Sequence, residues 1–306
     1  MKIINNKKDA IQELKRISNR TNSETNNKIN EIVEEILHDV KTDGDKAVEK
    51  YTKKFDGFSP TPMQVNANDL KDAWDEIDNN LKCSLRVAHE RIKKFHEKEI
   101  PSSFTIVGKH GDKVQRKWRP VKNAGIYIPG GRAAYPSTVL MNAIPATVAG
   151  VKEIIMVSPG NKEGKINKIV LAAAYLSGIN RVFRVGGAQA IGALAFGTKQ
   201  INKVDVISGP GNIYVTTAKK IVYGSTGIDS LAGPSEILII ADETAQSTHI
   251  ASDLLAQAEH DPLASSILLT TSKTQAKEVA EELYKKIDDH PRKEICIQSI
   301  KNWGLI

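Results

Sequence analysis

The sequence predicts an α/β fold built on a doubly wound parallel sheet and entered through a helical segment. Two observations carry this. Between about Gly130 and Ser235, β-rich runs that end in glycine (EIIMVSPG, RVFRVGG, VDVISGPG) alternate with helix-like runs (KINKIVLAAAYLSG, AQAIGALAFG, NIYVTTAKKIVYG). Strands alternating with helices imply parallel pairing, because each return crosses the sheet as a helix. Upstream, from Ile29, the apolar residues Ile32, Val33, Ile36, Leu37 and Val40 keep the spacing of one helical face.

The helical region runs to about His96, with turns at TDGD and FDGFSPTP. From Phe104 to Ile128, FTIVG, VQRKWRPV and GIYI read as short strands. The glycine and proline of IPGGRAAYPS then interrupt the pattern and mark a domain boundary. After Ser235 the alternation resumes with the strand EILIIAD, a helix containing LLAQAEHDP, the strand SSILLTT and the charged helix TQAKEVAEELYKKIDD.

Composition narrows the function classes. A chain of 306 residues with 40% hydrophobic content can bury ordinary cores in about two domains. The formal charge of +7 comes from 43 Lys and Arg against 36 Asp and Glu, interleaved as in KKFHEKEI, which is the pattern of solvated helix faces. With 5% aromatic residues and no basic stripe, stacking platforms for nucleic acid are missing, so no nucleic-acid partner is expected. The opening MKIINNKKDA has no apolar signal core, and no run of about eighteen apolar residues occurs, so a cytoplasmic protein without a membrane partner is expected. Cys83 and Cys296 form neither a CxxC pair nor a disulfide framework and read as buried or incidental.

The glycine loops sit where ligands of doubly wound sheets bind, beyond the carboxyl ends of the strands. Gly209 and Gly211 give a GxG, but Tyr214 occupies the third glycine position of the dinucleotide fingerprint. Gly186 to Gly192 make a second strand-to-helix turn that can offer N–H groups to a phosphate. Each loop alone is equally explained by a tight turn that needs glycine for steric reasons. Ser235 follows a Gly-Pro turn outside any GxSxG context and can simply cap that turn. In LLAQAEHDP, Gln257 falls on the apolar stripe of Ile250, Ala251, Leu254, Leu255 and Ala258, where an amide needs partners. His260 follows, and by itself reads as either a hydrogen-bonded histidine or a metal ligand.

GIYIPGG, YPSTVLMNAIPA, GGAQAIGALAFGT, VDVISGPGN, IDSLAGPSEILIIAD and DLLAQAEHDP, in this order and spacing, resemble histidinol dehydrogenase. The resemblance extends from DVKTDGDKAVEKYTKKFDGF to residue 306. It implies an NAD-dependent alcohol and aldehyde dehydrogenase that oxidises L-histidinol to L-histidine with two NAD+ in succession, holding the substrate on Zn2+. On matching positions, Gln257 and His260 would be zinc ligands in contact with substrate, and Ser235 would contact substrate. Tyr127, Gln189 and Asn212 would contact NAD. The same resemblance implies two incomplete Rossmann-like doubly wound domains: residues 130–235 as one, residues 29–129 plus 236–306 as the other, and residues 1–28 as an N-terminal helical segment.

The chain departs from the family pattern in its chemistry. The family's acid/base pair, an adjacent glutamate and histidine in a Pro-Glu-His motif, does not occur in the 306 residues, nor do the aspartate and histidine that complete its zinc shell. A C-terminally truncated chain with part of the family fold missing is therefore expected, with little activity by itself. The family's homodimer is in doubt too, since its C-terminal tail crosses into the partner's active site. Exposed strand edges and unburied apolar surface are expected to follow. Alternatives are a related zinc and NAD dehydrogenase acting on another small hydroxylated substrate, and a non-catalytic NAD-binding remnant.

Overall fold

A computed structural model describes the chain except for residues 22–24, 131–133 and 232–234. The Gly-Pro turn before Ser235 and part of the boundary loop after Gly130 thus lie outside the described residues. The helices are α1 (Lys7–Ser18), α2 (Thr25–Asp43), α3 (Asp45–Asp56), α4 (Ala67–Glu76), α5 (Asn79–His96), α6 (Pro136–Ala149), α7 (Lys168–Leu176), α8 (Gly187–Phe196), α9 (Ile213–Val222), α10 (Ser247–Ala258), α11 (Lys273–Asp288) and α12 (Lys293–Trp303). The strands are β1 (Phe104–Val107), β2 (Lys113–Arg116), β3 (Asn123–Tyr127), β4 (Glu153–Val157), β5 (Arg181–Phe183), β6 (Val206–Ser208), β7 (Gly227–Ile228), β8 (Glu236–Ala241) and β9 (Ser265–Thr270). None of the described helices is long and apolar enough to cross a membrane.

The chain divides into two compact units, Asn27–Leu231 and Met1–Asn26 with Ala232–Ile306. This differs from the expected division in two places. Residues 29–129 fold with the middle block because β3 is hydrogen-bonded between β4 and β6 at the centre of their sheet. The first 26 residues are no separate segment: Ile4 N–H donates to the Ile306 carbonyl at 2.8 Å, and the Arg16 guanidinium lies 4.8 Å from the Trp303 ring centroid.

In the larger unit five parallel strands stand in the order β5-β4-β3-β6-β7. Alternation of side chains along each strand feeds two cores. Ile126, Met156 and Val182 face α4, α5, α6 and α7, while Tyr127, Ile155, Val157 and Phe183 face α2, α3, α8 and α9. The expected helical stripe follows this logic: Val33, Ile36, Leu37 and Val40 are buried against the second core, and Ile32 is exposed. Each such burial contributes about 1.5–3 kcal/mol. Sequential strands lie on one side of β3 and later ones on the other, so the topological switch point falls between β3 and β6. The hairpin β1–β2 pairs antiparallel from Phe104↔Arg116 to Val107↔Lys113 and stands exposed on both strands.

In the smaller unit β8 and β9 pair in parallel from Glu236↔Ser265 to Ala241↔Thr270, with α10 as the crossover. Leu305 adds bridges to Ile267 and Lys2, so the apolar end of the chain is buried rather than open. Leu238, Ile240 and Leu269 remain exposed, which matches the expected unburied apolar surface on this sheet. Of the two cysteines Cys296 is buried and Cys83 exposed. Burial, helped by the charge of Glu259, pushes the Cys296 thiol up, so it is protonated and unreactive.

Candidate functional site

Tyr127 closes β3 at the switch point. Alternation turns its side chain inward, where it is buried, and its hydroxyl oxygen accepts a hydrogen bond from the Gly187 N–H at 3.1 Å. Burial pushes its pKa up to about 12, so the phenol stays protonated and can donate. Gly187, the first residue of α8, has φ +64°, and a Cβ there would lie 2.6 Å from Oε1 of Gln189. The positive φ favours glycine here, and a side chain would have to displace the Gln189 amide.

Gln189 is 1% exposed, and neither its Oε1 nor its Nε2 has a hydrogen-bond partner. An unmet buried polar group costs about 1–3 kcal/mol, a cost that a bound polar ligand removes. Gly209 lies on the end of β3 itself: at φ +112°, a Cβ would stand 2.1 Å from the Tyr127 carbonyl oxygen. This loop is held by two charges, the buried Lys219 and the more exposed Asp229. Lys219 Nζ donates to the Gly209 carbonyl at 3.0 Å, Asp229 Oδ2 accepts from the Gly209 N–H at 2.8 Å, and the two side chains also pair with each other. Asn212 caps α9 through its Oδ1, which accepts from the N–H of Tyr214 and of Val215, each at 3.1 Å. The three expected cofactor residues thus lie on one strand end and two adjoining glycine loops.

Residues outside the sequence reading complete this region. α3 ends at Asp56, and after the left-handed Gly57 the ring of Phe58 packs on Gly160 and Gly164 in the loop after β4. Burial raises the Asp56 carboxyl to about 6, its Oδ2 has no partner, and its charge in turn raises Tyr127. An aspartate in a Lys-Phe-Asp-Gly-Phe stretch looks like a solvated helix end, so only its burial distinguishes it. Beside this region, beyond the carboxyl ends of β3, β4 and β5, opens a cavity of about 1340 Å³ lined by Pro129, Gly130, Ser158, Pro159, Gly160 and Arg184. None of the six sequence-predicted residues lines it.

The other three predicted residues belong to the smaller unit. Ser235 is exposed at the start of β8, where its carbonyl accepts from the Ser265 N–H at 3.2 Å. Gln257 lies in the last turn of α10 with Nε2 buried and unpartnered, and His260 is exposed two residues past the helix end. Because α10 runs antiparallel to the strands it connects, all three lie at the amino end of the β8–β9 pair, not at a carboxyl end. Among the described residues no three His, Cys, Asp or Glu side chains stand together as a metal site. Gln257 and His260 offer two donors, fewer than the three or four protein ligands of zinc centres, so these residues alone do not fit a zinc ion.

Comparisons with known proteins place the chain in one family. The family described as histidinol dehydrogenase matches residues 19–306. The chain is 87% identical over 306 residues to the histidinol dehydrogenase of Prochlorococcus marinus strain MIT 9312, covering 100% of this chain and 70% of that one. It is 48% identical over 307 residues to that of Synechococcus sp. strain ATCC 27144, covering 100% of this chain and 71% of that one. The crystal structure of histidinol dehydrogenase from Elizabethkingia anophelis superposes with a TM-score of 0.84 at 41% identity, over 90% of this chain and 64% of that one. The chain therefore spans about 70% of the length of the curated relatives and belongs to the histidinol dehydrogenase family.

Proposed function

We propose that this chain carries the NAD-binding and part of the substrate-binding machinery for the NAD-dependent oxidation of L-histidinol to L-histidine through the aldehyde. The observation that carries the proposal is the buried amide of Gln189, unpartnered on both atoms beside Tyr127 and the two glycine loops of the switch point. That cradle fits a dinucleotide, because the unpartnered Gln189 amide and the Tyr127 phenol meet at the glycine loops of the switch point. NAD+, when bound, supplies the hydride acceptor.

The residues of the chain bind and orient. Tyr127 offers its phenol hydrogen, and Gln189 offers both a donor and an acceptor. Asn212 and the Gly209 loop fix the start of α9, and Lys219 and Asp229 keep that loop from moving. Ser235, Gln257 and His260 are assigned to substrate contact. No step is routed through zinc. Loss of hydride from an alcohol also requires a base for the hydroxyl proton. The Pro-Glu-His pair that serves the family is not among the 306 residues, so slow turnover is proposed for this chain alone.

Calorimetric titration with NAD+ tests the binding role, and NADH absorbance with L-histidinol tests turnover. Saturable NAD+ binding that Gln189→Leu abolishes is the expected result. Absence of NAD+ binding by the unmodified chain would overturn the proposal.

A further inference from the structure

The cofactor reading leaves the half-buried carboxylate of Asp56 without a role. Asp56 is the last residue of α3, and a carboxylate at the carboxyl end of a helix opposes the helix dipole. Its Oδ2 is buried without a partner, and no Lys, Arg or His pairs with it among the described residues. Burying one oxygen of an unpaired carboxylate is costly, so the position calls for a donor supplied from outside the chain.

The neighbouring groups define that donor. α3 packs against α8, the helix that carries Gln189, and the Asp56 charge acts on the Tyr127 hydroxyl. Thr52, one turn earlier on α3, is also buried with its hydroxyl unpartnered. The set is therefore an anionic acceptor, an amide offering both donor and acceptor, and hydroxyls with hydrogens to give. A vicinal diol answers it, since each hydroxyl both donates and accepts. A phosphate ester in the same place would set negative charge against the carboxylate.

Dinucleotide folds usually read the ribose with an acidic residue beyond the second strand of the sheet. Here the second strand, β4, ends at Val157 and is followed directly by Ser158, Pro159 and Gly160; Glu163 further along that loop is paired with Lys165, and Glu76, beside the cavity there, with Lys168. We infer that Asp56, reaching in from the helices that precede the sheet, selects the cofactor by accepting hydrogen bonds from a ribose diol and repelling a ribose phosphate. The inference rests on the proposal that Tyr127 and Gln189 hold NAD.

The test compares NAD+ and NADP+ binding by calorimetry for the 306-residue chain, Asp56→Asn and Asp56→Glu, with a thermal melt of each. The unmodified chain should prefer NAD+ by about tenfold or more, and Asp56→Asn should lose about tenfold of that preference, the scale of one charged hydrogen bond, without a lower melting temperature. Asp56→Glu, which keeps the charge but pushes it into the diol space, should weaken NAD+ without admitting NADP+. An undiminished preference in Asp56→Asn overturns the inference and leaves the NAD reading standing. If Asp56→Asn does not fold, unchanged NAD+ affinity in Asp56→Glu overturns it. An unmodified chain that binds neither dinucleotide overturns the reading and the inference together.

Discussion

Lys219 and Asp229 hold the same residue from opposite ends: Nζ of Lys219 donates to the Gly209 carbonyl at 3.0 Å, and Oδ2 of Asp229 accepts from the Gly209 N–H at 2.8 Å. Both peptide groups of the loop that covers the end of β3 are thereby fixed, and the paired charges satisfy each other. Lys219 is 2% exposed. Removing the Lys219 ammonium leaves the Gly209 carbonyl without its charged donor, while Asp229, which reaches solvent, keeps only the N–H contact.

Lys219→Met should therefore lower stability by about 1.5–3 kcal/mol, measured by urea denaturation. It should also weaken NAD+ binding, because Gly209 loses its fixed position. A Lys220→Met control on the exposed side of α9 should change neither. Equal effects of the two substitutions would show that the Gly209 clamp is irrelevant.

Gly209→Ala and Gly44→Ala separate steric exclusion from backbone strain. Both glycines have positive φ, but nothing lies within 4 Å of a Cβ at Gly44, whereas one at Gly209 would stand 2.1 Å from the Tyr127 carbonyl. Strain alone predicts a loss of about 1–2 kcal/mol at Gly44. At Gly209, backbone displacement adds to the strain, so the loss should be about 3 kcal/mol or more. Similar losses in denaturation at the two positions would rule out the close approach.

Gln189→Met should uncouple stability from binding. The substitution keeps side-chain length and removes two unpartnered polar atoms from the core, so stability should rise by about 1–3 kcal/mol and the melting temperature with it. NAD+ binding should fall at the same time. A melting temperature that drops would mean that the amide is already satisfied without a ligand.

Much of this arrangement was legible in the sequence because it rests on periodicity. Glycine-terminated apolar runs gave β4, β5 and β6, and their loops located Gln189 and Asn212. The helix α6 carries a mixed signal: Pro136 at its first position suits a helix start, but Pro145 lies within it, and an internal proline ordinarily ends a helical pattern. The place of β3 within the sheet of the middle block is not legible, because a central strand and a strand next to a linker have the same local composition. Lys219 and Asp56 escaped notice for a related reason. Charged residues near helix ends are usually solvated, and only tertiary packing buries Lys219 and half-buries Asp56.

Asp56 also predicts how stability responds to pH. Its folded pKa of about 6 lies above the ordinary 3.8, so the folded state binds a proton more tightly than the unfolded chain does. Between about pH 4 and pH 6 the folded state then holds more protons, and stability contributed through this group falls as pH rises across that window. The penalty is complete above about pH 6 and absent below about pH 4. Part of the side chain reaches solvent, so the effect is about 1 kcal/mol after screening, less than the full shift would give. Asp56→Asn should therefore be more stable than the unmodified chain at pH 7.5, with the difference closing toward pH 4. Denaturation curves at the two pH values check this, and a gain of the same size at both would mean that removing the charge is not its source.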